Sequence, residues 1–195
     1  MKWFKNIKGH SQVGSKFPNK YLQGLKAFEI GSKLYKEKED ESISQERKKQ
    51  KTIAAIEFFD TAIENDFNDP DVYCYRGYCL LDLQYELDAL DDFNRCVEID
   101  PSNASYYQHR ALTKSYLHDY DGSLLDYKEA IRLSKIPNSN TIFWNEIAIK
   151  MGWNGFTSKL EFDLAFLNQD IKRSKNIYNN ERIIKEIANQ KRRGQ

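Results

Sequence analysis

Residues 86–101 read ELDALDDFNRCVEIDP, and the spacing of their apolar side chains decides the fold. Ala89, Phe93, Cys96 and Val97 stand at i, i+4, i+7 and i+8, which places them on one face of an α-helix. Acidic and amide residues fill the other side, and Pro101 closes the segment because proline cannot continue a helix interior. The stretch is therefore predicted to be an amphipathic helix with one buried face.

The apolar face of this helix recurs at a spacing of 34 residues. Five columns keep their chemical type through three copies: Ala55, Ala89 and Ser123; Ile56, Leu90 and Leu124; Phe59, Phe93 and Tyr127; Ala62, Cys96 and Ala130; and Ile63, Val97 and Ile131. A second apolar segment, residues 72–83, precedes the central copy. Two helical segments in each repeat predict a series of helical hairpins that stack to bury their apolar faces.

Residues 52–134 resemble the tetratricopeptide repeat family, whose units alternate small and large residues at fixed places over 34 positions. The matching residues are Tyr73, Gly77, Leu80, Ala89, Phe93, Cys96 and Pro101, followed by Tyr107, Ala111, Ser123, Tyr127 and Ala130. The departures are Arg76 and Arg110 at the leucine place, Lys114 at the tyrosine place and Lys135 at the closing proline. The resemblance implies an all-α, right-handed α-solenoid of about four stacked antiparallel helix hairpins.

Both flanks are interpreted as degenerate copies of the repeat. Residues 25–35, LKAFEIGSKLY, fit a first helix, and the charged insertion at 36–47 either lengthens both helices of that hairpin or forms a loop. Downstream, a fourth hairpin is expected from two apolar sets: Trp144, Ala148 and Met151, then Leu160, Leu164, Leu167 and Ile171. The predicted domains are a basic tail at 1–20, a repeat array at 21–175, with its best repeats at 52–134, and a capping helix and basic tail at 176–195, where Ile183, Ile184 and Ile187 cover the last apolar face.

The resemblance implies that the first helices line a concave groove that holds the ligand. Ten residues on those helices are expected to point into it: Asp71, Cys74, Tyr75, Tyr78 and Asp82 in one unit, and Ser105, Gln108, His109, Leu112 and Tyr116 in the next. Tyrosine suits recognition because it brings a large contact area and a polar tip. Whether each tyrosine faces the groove or packs between helices is left open at this stage.

The charge is distributed in blocks although the net charge is only +1. Residues 1–51 carry +7, residues 52–134 carry −11 and residues 135–195 carry +5. An acidic central surface would attract a basic or amphipathic protein or peptide, while solvated helix faces of varying sign would give the same pattern. A non-enzymatic protein-binding scaffold is the leading interpretation.

Some relatives in this family clamp the carboxylate tail of heat-shock chaperones with lysine, asparagine and arginine on successive first helices. The matching places here hold Phe28, Ser32, Tyr75, Ser105 and His109. Because this set offers no strong carboxylate clamp, we expect no tight binding of acidic chaperone tails.

Catalytic, metal and cofactor sites are not predicted. Cys74 and Cys79 point in different directions on one helix, Cys96 takes a packing place, and no histidine stands at ligand spacing beside them. His118 falls in a turn, and the nine glycines are scattered rather than gathered in a phosphate-binding loop. Three cysteines cannot form a closed set of disulfides, which favours a reducing, cytoplasmic location.

Two alternative functions stay open. The basic ends, KWFKNIK at 2–8 and KRR at 191–193, interleave cations with apolar residues and would suit nucleic acid or an anionic membrane surface. Self-assembly into a homodimer would suit an imperfectly capped end, where Trp144, Trp153 and Phe156 fall. Neither a signal-peptide core nor an apolar run of the length of a membrane span is present in the sequence.

Overall fold

The computed structural model describes the backbone of residues 19–193, and the side chains of 178–180 and 186–193 are not part of that description. Over this range the chain forms eight α-helices and contains no strand, which confirms the all-α prediction. The helices are α1 (Asn19–Glu37), α2 (Gln45–Glu64), α3 (Pro70–Asp82), α4 (Glu86–Ile99), α5 (Ala104–Tyr116), α6 (Tyr120–Ser134), α7 (Ser139–Lys150) and α8 (Phe156–Arg193). The predicted N-terminal tail lies outside the described residues except for Asn19 and Lys20, which begin α1.

The chain divides into two compact units, Met1–Ile99 and Asp100–Gln195. In the first unit, α1 pairs with α2 and α3 pairs with α4, and α2 also packs against α3. In the second unit, α5 pairs with α6, and α8 packs against both α6 and α7. Helical hairpins are therefore the building block of each unit, as the 34-residue spacing predicted.

The columns of the repeat form the cores of the hairpins. Ala55, Phe59, Ala89 and Phe93 are fully buried, and Tyr127 is 4% exposed. Glycines on the first helices make room for these rings. A Cβ atom on Gly31 would lie 2.7 Å from the Phe59 ring, and one on Gly77 would lie 2.9 Å from the Phe93 ring. The alternation of small and large residues is therefore a close interlock between the two helices of a hairpin.

The turns of the chain also repeat. Asp69 and Asn103, which are 34 residues apart, cap α3 and α5, and each side chain accepts a hydrogen bond from the backbone N–H two residues later. Gln84 and His118 follow the same two helices in left-handed conformation, with φ of 63° and 62°. This conformation closes a helix by satisfying its last carbonyl groups. His118 thus lies in the turn where the sequence placed it.

The charged insertion at residues 36–47 combines both structures that the sequence allowed. Its first two residues complete α1, residues 38–44 form a turn, and the rest begin α2. Ser44 caps α2 by accepting a hydrogen bond from the N–H of Arg47. The first hairpin is accordingly longer than the second.

The C-terminal segment differs from the prediction in two respects. It is helical, but it continues α8 without a break from Phe156 to Arg193, because that range contains neither glycine nor proline to end a helix. Ile183 and Ile184 are 47% and 65% exposed, so they do not cover an apolar face of the unit. Met151 is also 65% exposed because it caps α7 rather than facing the core.

Candidate functional site

The five predicted groove residues of the first unit are only partly available to a ligand. Asp71 and Cys74 are buried, at 9% and 7% exposure, and Tyr75 and Tyr78 are half-buried. Asp82, at the end of α3, is exposed and forms an ion pair with Lys38. Most of this set therefore belongs to the packing of the unit.

The tyrosines of α3 pack between helices. The ring of Tyr75 lies 6.1 Å from that of Phe59 and 5.4 Å from that of Tyr35, measured between centroids. The ring of Tyr78 lies 5.7 Å from that of Phe93. Burial raises the pKa of both tyrosine hydroxyls, so these groups stay protonated. The alternative left open by the sequence is thus realised here: these rings extend the core instead of forming a free aromatic wall.

A polar cavity of about 560 Å³ lies beside the turn between α1 and α2. Lys38, Lys48 and Lys49 line it together with Asp82. Burial lowers the pKa of Lys38, but hydrogen bonds and charge from Asp82 and Glu39 outweigh that effect and leave the pKa above its usual value. Lys38 is thus committed to carboxylates of its own chain.

The predicted residues of the second unit separate into buried and exposed groups. Ser105 and Gln108 are buried, and each has a partner within the unit. The Ser105 hydroxyl donates to the side chain of Asn103, and the Gln108 amide donates to Asp163 of α8 over 2.9 Å. Leu112 and Tyr116 are 37% and 56% exposed, so they are the members of this set that a partner can reach.

His109 is held in the neutral form by its surroundings. Its ring lies 6.1 Å from the ring of Trp144 on α7. Burial, together with the positive charge of Lys159, lowers the pKa of His109 to about 3. The imidazole therefore carries no charge that could bind a carboxylate at neutral pH.

This histidine should make the stability of the second unit depend on pH. In the unfolded chain the histidine has a pKa near 6.5, so between about pH 6.5 and pH 3 it is protonated in the unfolded state and neutral in the folded state. The free energy of unfolding is therefore highest above about pH 6.5 and falls as the pH drops toward 3. The expected slope reaches about 1.4 kcal/mol per pH unit. Urea unfolding of the wild type and of His109→Gln at pH 7, 6, 5 and 4 measures it. If the stability difference between the two proteins does not change over this range, the pKa of His109 is not lowered in the folded protein.

A cleft between α5, the start of α6 and α8 joins the exposed residues into one surface. Its volume is about 520 Å³, and its apolar walls include Leu112, Tyr116, Phe162 and Phe166. Phe162 and Phe166 on α8 are 53% and 54% exposed. The carboxylates of Asp163 and Asp170 and the rings of Tyr120 and Tyr127 complete the lining. We name this surface the α5–α8 cleft.

The sequence analysis missed the α8 wall of this cleft. It assigned Leu160, Leu164 and Leu167 to the buried face, and the structure buries Leu160 and Leu167 and half-buries Leu164. Phe162 and Phe166 are one helical turn apart on another side of the same helix. The spacing of these two phenylalanines in the sequence would have predicted a second apolar face on α8.

The aromatic residues proposed for self-assembly are partly occupied within the unit. Phe156 is 2% exposed and stacks on Trp144 with centroids 5.9 Å apart. Trp153 packs against Phe162 at 4.9 Å. Phe156 is therefore unavailable for self-assembly, whereas Trp144 and Trp153 are half-buried and keep part of their surface exposed.

Three of the four departures from the repeat pattern, Arg76, Arg110 and Lys114, have a common structural explanation. Arg76 donates two hydrogen bonds to Asp92, of 2.9 and 2.7 Å, and Arg110 donates two to Asp126, of 2.8 and 2.6 Å. The aspartates are buried, and Lys114 also pairs with Asp126 at 2.8 Å. Both arginines and both aspartates recur at a spacing of 34, so the pairing could have been found from the sequence. Each ion pair joins the two helices of one hairpin.

The described residues offer no grouping of chemically reactive side chains. Cys74, Cys79 and Cys96 are buried free thiols, and burial raises the pKa of Cys79 to about 12, which keeps it protonated and unreactive. Within this part of the chain, no three histidine, cysteine or carboxylate side chains converge as metal ligands would. The helices found there are also too short or too polar to span a bilayer.

Comparison with known sequences identifies one repeat of this architecture. Residues 70–103, which cover α3, α4 and the cap of α5, match the sequence model of the tetratricopeptide repeat. These residues are identified as a tetratricopeptide repeat. The repeat begins at the capped first helix and ends at the equivalent cap of the next hairpin, so it coincides with the structural unit described above.

Two relatives illustrate the extent of the sequence similarity. Hsp70-Hsp90 organizing protein 3 of Arabidopsis thaliana is 28% identical over 85 residues, which are 44% of this chain and 15% of that protein. Mitochondrial import receptor subunit TOM70 of Homo sapiens is 38% identical over 58 residues, which are 30% of this chain and 10% of the relative. The chain thus aligns with a small part of each relative's length.

Solved structures share the fold at low sequence identity. The first repeat domain of Spaghetti (RPAP3), bound to the HSP90 peptide SRMEEVD, gives a TM-score of 0.57 at 18% identity and covers 78% of this chain and 95% of that chain. Tetratricopeptide repeats, the kind of repeat matched by residues 70–103, are generally protein–protein interaction modules.

Proposed function

We propose that this chain binds a helical, apolar and basic segment of a protein partner in the α5–α8 cleft. The observation that carries the proposal is the set of large apolar side chains left exposed around one concavity: Leu112, Tyr116, Phe162 and Phe166. Neighbouring rings hold this set in place, since Trp153 packs on Phe162. Exposed aromatic residues around a concave surface are typical of binding sites for other chains.

The depth of the cleft suits a few anchoring side chains. A volume of about 520 Å³ accommodates side chains rather than a folded domain. Full burial of one large apolar side chain contributes about 1.5–3 kcal/mol, and association itself costs at least about 4 kcal/mol. Three anchors would therefore leave at most about 5 kcal/mol of net binding free energy, which is a dissociation constant on the order of 100 micromolar.

Acidic groups in the cleft favour a basic partner. Asp170 is half-buried beside the phenylalanines and forms a long ion pair of 3.6 Å with Arg173 of the same helix. Asp163, which bonds to Gln108 and Lys159, contributes a second carboxylate. A lysine or arginine flanking the anchors would complement this charge, with an effect that decreases at high salt.

The acidic chaperone peptide seen with Spaghetti (RPAP3) is not the expected ligand here. Of the places that could clamp its carboxylates, Ser32 and Ser105 are buried, Phe28 is in the core, and His109 is neutral. Tyr75 is packed against Phe59. These residues supply no cation, so the cleft and the clamp positions agree in disfavouring an acidic segment.

Calorimetry with two peptides tests this function. One peptide is a 16-residue amphipathic helix with leucines on one face and lysines on the other, and the second is SRMEEVD. We expect the first to bind with a dissociation constant on the order of 100 micromolar and the second to bind at least about tenfold more weakly, since only the first matches the charge and the apolar walls of the cleft.

Variants of the cleft localise the binding. Tyr116→Ala and Phe162→Ala should each weaken binding of the leucine–lysine peptide by about fivefold or more, because truncating an anchoring ring costs more than about 1 kcal/mol. Tyr85→Ala is the matched control, since Tyr85 is 55% exposed but lies in the other unit. Tight binding of SRMEEVD, or equal loss in the control, would contradict the proposal.

A further inference from the structure

The first hairpin lacks the buried arginine–aspartate pair of the next two hairpins. Arg76 and Asp92 stand directly before the glycine and the phenylalanine that interlock in the second hairpin. The same two places in the first hairpin hold Ile30 and Phe58, which come directly before the glycine and the phenylalanine that interlock there. An apolar pair therefore replaces a charged pair in the first hairpin.

In the second hairpin this position lies at the contact with the preceding hairpin. Besides its bonds to Asp92, the Arg76 guanidinium donates a hydrogen bond of 2.6 Å to Asp60 of α2. The repeat therefore places Ile30 and Phe58 on the side of the first hairpin where a preceding element of the chain would pack. Terminal units of a repeat array need a polar outer surface, which this apolar pair does not supply.

The side of α1 that carries Ile30 points away from α3. Phe28 and Tyr35 of α1 contact the ring of Tyr75 on α3, with centroids 6.0 and 5.4 Å apart. At about 100° per residue, Ile30 lies roughly 140–160° around the helix from both of them. Its side chain is therefore directed to the outside of the first unit, and it is 44% exposed.

Ile30 and Phe58 belong to two adjacent rows of side chains. Glu37 is seven residues after Ile30, Lys51 is seven residues before Phe58, and each pair of positions lies on one side of its helix. The ion pair of 2.7 Å between Glu37 and Lys51 shows that the two rows meet. Between the ion pair and the apolar pair, each row adds one half-buried apolar side chain. We name the resulting surface the outer face; it consists of Ile30, Leu34, Ala54 and Phe58.

The chain that precedes α1 is long enough to return to the outer face. Residues 1–18 lie outside the described residues and lead directly into α1. Ile30 is about 17 Å from the start of that helix, at 1.5 Å per residue. Residues 9–18, as a connection of ten residues, can span up to roughly 33 Å. Residues 2–8 can therefore reach the outer face of their own molecule.

Residues 2–8, KWFKNIK, have apolar side chains that match this face. At about 100° per residue, Trp3, Phe4 and Ile7 fall within roughly 100° of one another. Lys2 and Lys5 fall on the opposite side, where water can solvate them. The segment thus offers two aromatic rings and an isoleucine to an apolar surface without burying these two cations.

Apolar burial rather than charge must hold a cover on the outer face. The exposed charges beside it are of both signs, with Lys33 and Arg47 on one hand and Glu57 on the other. Exposed pairs of this kind contribute little to association. A cover that turns its own lysines toward water, as residues 2–8 can, fits such a surface.

We propose that residues 2–8 of the same chain cover the outer face, with Trp3, Phe4 and Ile7 packed against Ile30 and Phe58. The segment then supplies the polar outer surface that the first hairpin lacks. The outer face belongs to the first unit and the α5–α8 cleft to the second, so the two proposals can fail separately.

Hydrogen exchange of the full chain, followed by mass spectrometry, tests the cover. Amides of residues 2–8 should exchange at least about tenfold more slowly in the wild type than in Ile30→Asp, because a carboxylate on the outer face opposes apolar packing. Ile53→Asp is the matched control. Ile53 is 43% exposed and lies about 140° around α2 from Phe58, so exchange should stay within about twofold of the wild type.

A second variant leaves the hairpin itself unchanged. Trp3→Ser combined with Ile7→Ser removes two of the three apolar contacts from the segment alone. After correction for the intrinsic rates of the new sequence, its residues 2–8 should lose the same protection as in Ile30→Asp. Circular dichroism checks the helix content, and if Ile30→Asp loses helix, the segment variant decides the question by itself.

Three results would overturn the proposal. The first is a wild type in which residues 2–8 exchange at the intrinsic rate. The second is protection that persists in the segment variant or is lost equally in Ile53→Asp. The third is protection that increases with protein concentration together with a dimer in analytical ultracentrifugation, since the outer face would then be covered by a second copy.

Discussion

Replacing Arg76 with leucine should lower the free energy of unfolding of the first unit by about 3 kcal/mol or more, although leucine is what the repeat pattern has at this place. The substitution leaves Asp92 without the two hydrogen bonds from the guanidinium group. The Asp92 side chain is 4% exposed, so water cannot replace them. An uncompensated buried charge is among the most destabilising single defects in a folded protein.

Urea denaturation at pH 7 measures this effect, and two further variants assign it. Arg76→Leu with Asp92→Leu removes both charges and should recover most of the stability, since an apolar pair can replace a buried ion pair at little cost. Arg95→Leu is the control: Arg95 is half-exposed and pairs with Glu98 on the surface, where an ion pair contributes about 0–1 kcal/mol.

The pH dependence of the Arg76→Leu defect gives a second readout. Burial already raises the pKa of Asp92, although hydrogen bonds from Arg76 oppose that rise. Without Arg76 the pKa should rise further, so the folded form retains a proton that the unfolded form loses above about pH 4. The penalty is therefore full at neutral pH and shrinks as the pH falls toward 4. If the loss of unfolding free energy in Arg76→Leu does not depend on pH, the cause is lost packing rather than a buried carboxylate without a partner.

Replacing Phe93 with alanine should destabilise the same hairpin by about 3–5 kcal/mol. The ring is fully buried and occupies the space where a Cβ atom on residue 77 would lie, which Gly77 leaves open. Its centroid lies 5.7 Å from that of the Tyr78 ring. Alanine would leave a cavity that rigid helices cannot close, so both the transfer free energy and the packing contacts are lost.

The measurement is again the unfolding free energy, with Tyr85→Ala as the control. Tyr85 is an aromatic residue of the same unit but is 55% exposed, so its removal should change stability by less than about 0.5 kcal/mol. A loss of less than 1 kcal/mol for Phe93→Ala would mean that this ring does not form the centre of the hairpin.

The candidate site was harder to predict from the sequence than the hairpins were. Helical periodicity places Tyr75 and Tyr116 on comparable faces of α3 and α5, yet Tyr75 packs against Phe59 and Tyr116 is 56% exposed. The difference depends on which neighbouring helix reaches each ring. Sequence spacing within one helix contains no information about that distance.

The Arg76–Asp92 and Arg110–Asp126 pairs were harder to predict from the sequence than the hairpins and easier than the candidate site. Each residue recurs at the repeat spacing, so the pattern was present in the sequence. Read one column at a time, the arginines were departures from the family. Only the contact between the two helices of the hairpin shows that they are one feature, a buried charge with its partner.

The sequence by itself determined the hairpins and their apolar interlock, because these features depend on residues at short, fixed separations along one helix or at the repeat spacing. Gly77 and Phe93 were assigned in this way. Tertiary structure alone decided which side chains remain exposed and that α8 continues to Arg193 with a second apolar face. Exposure depends on how non-adjacent helices pack, and that packing is the sum of many weak contacts between residues far apart in the chain.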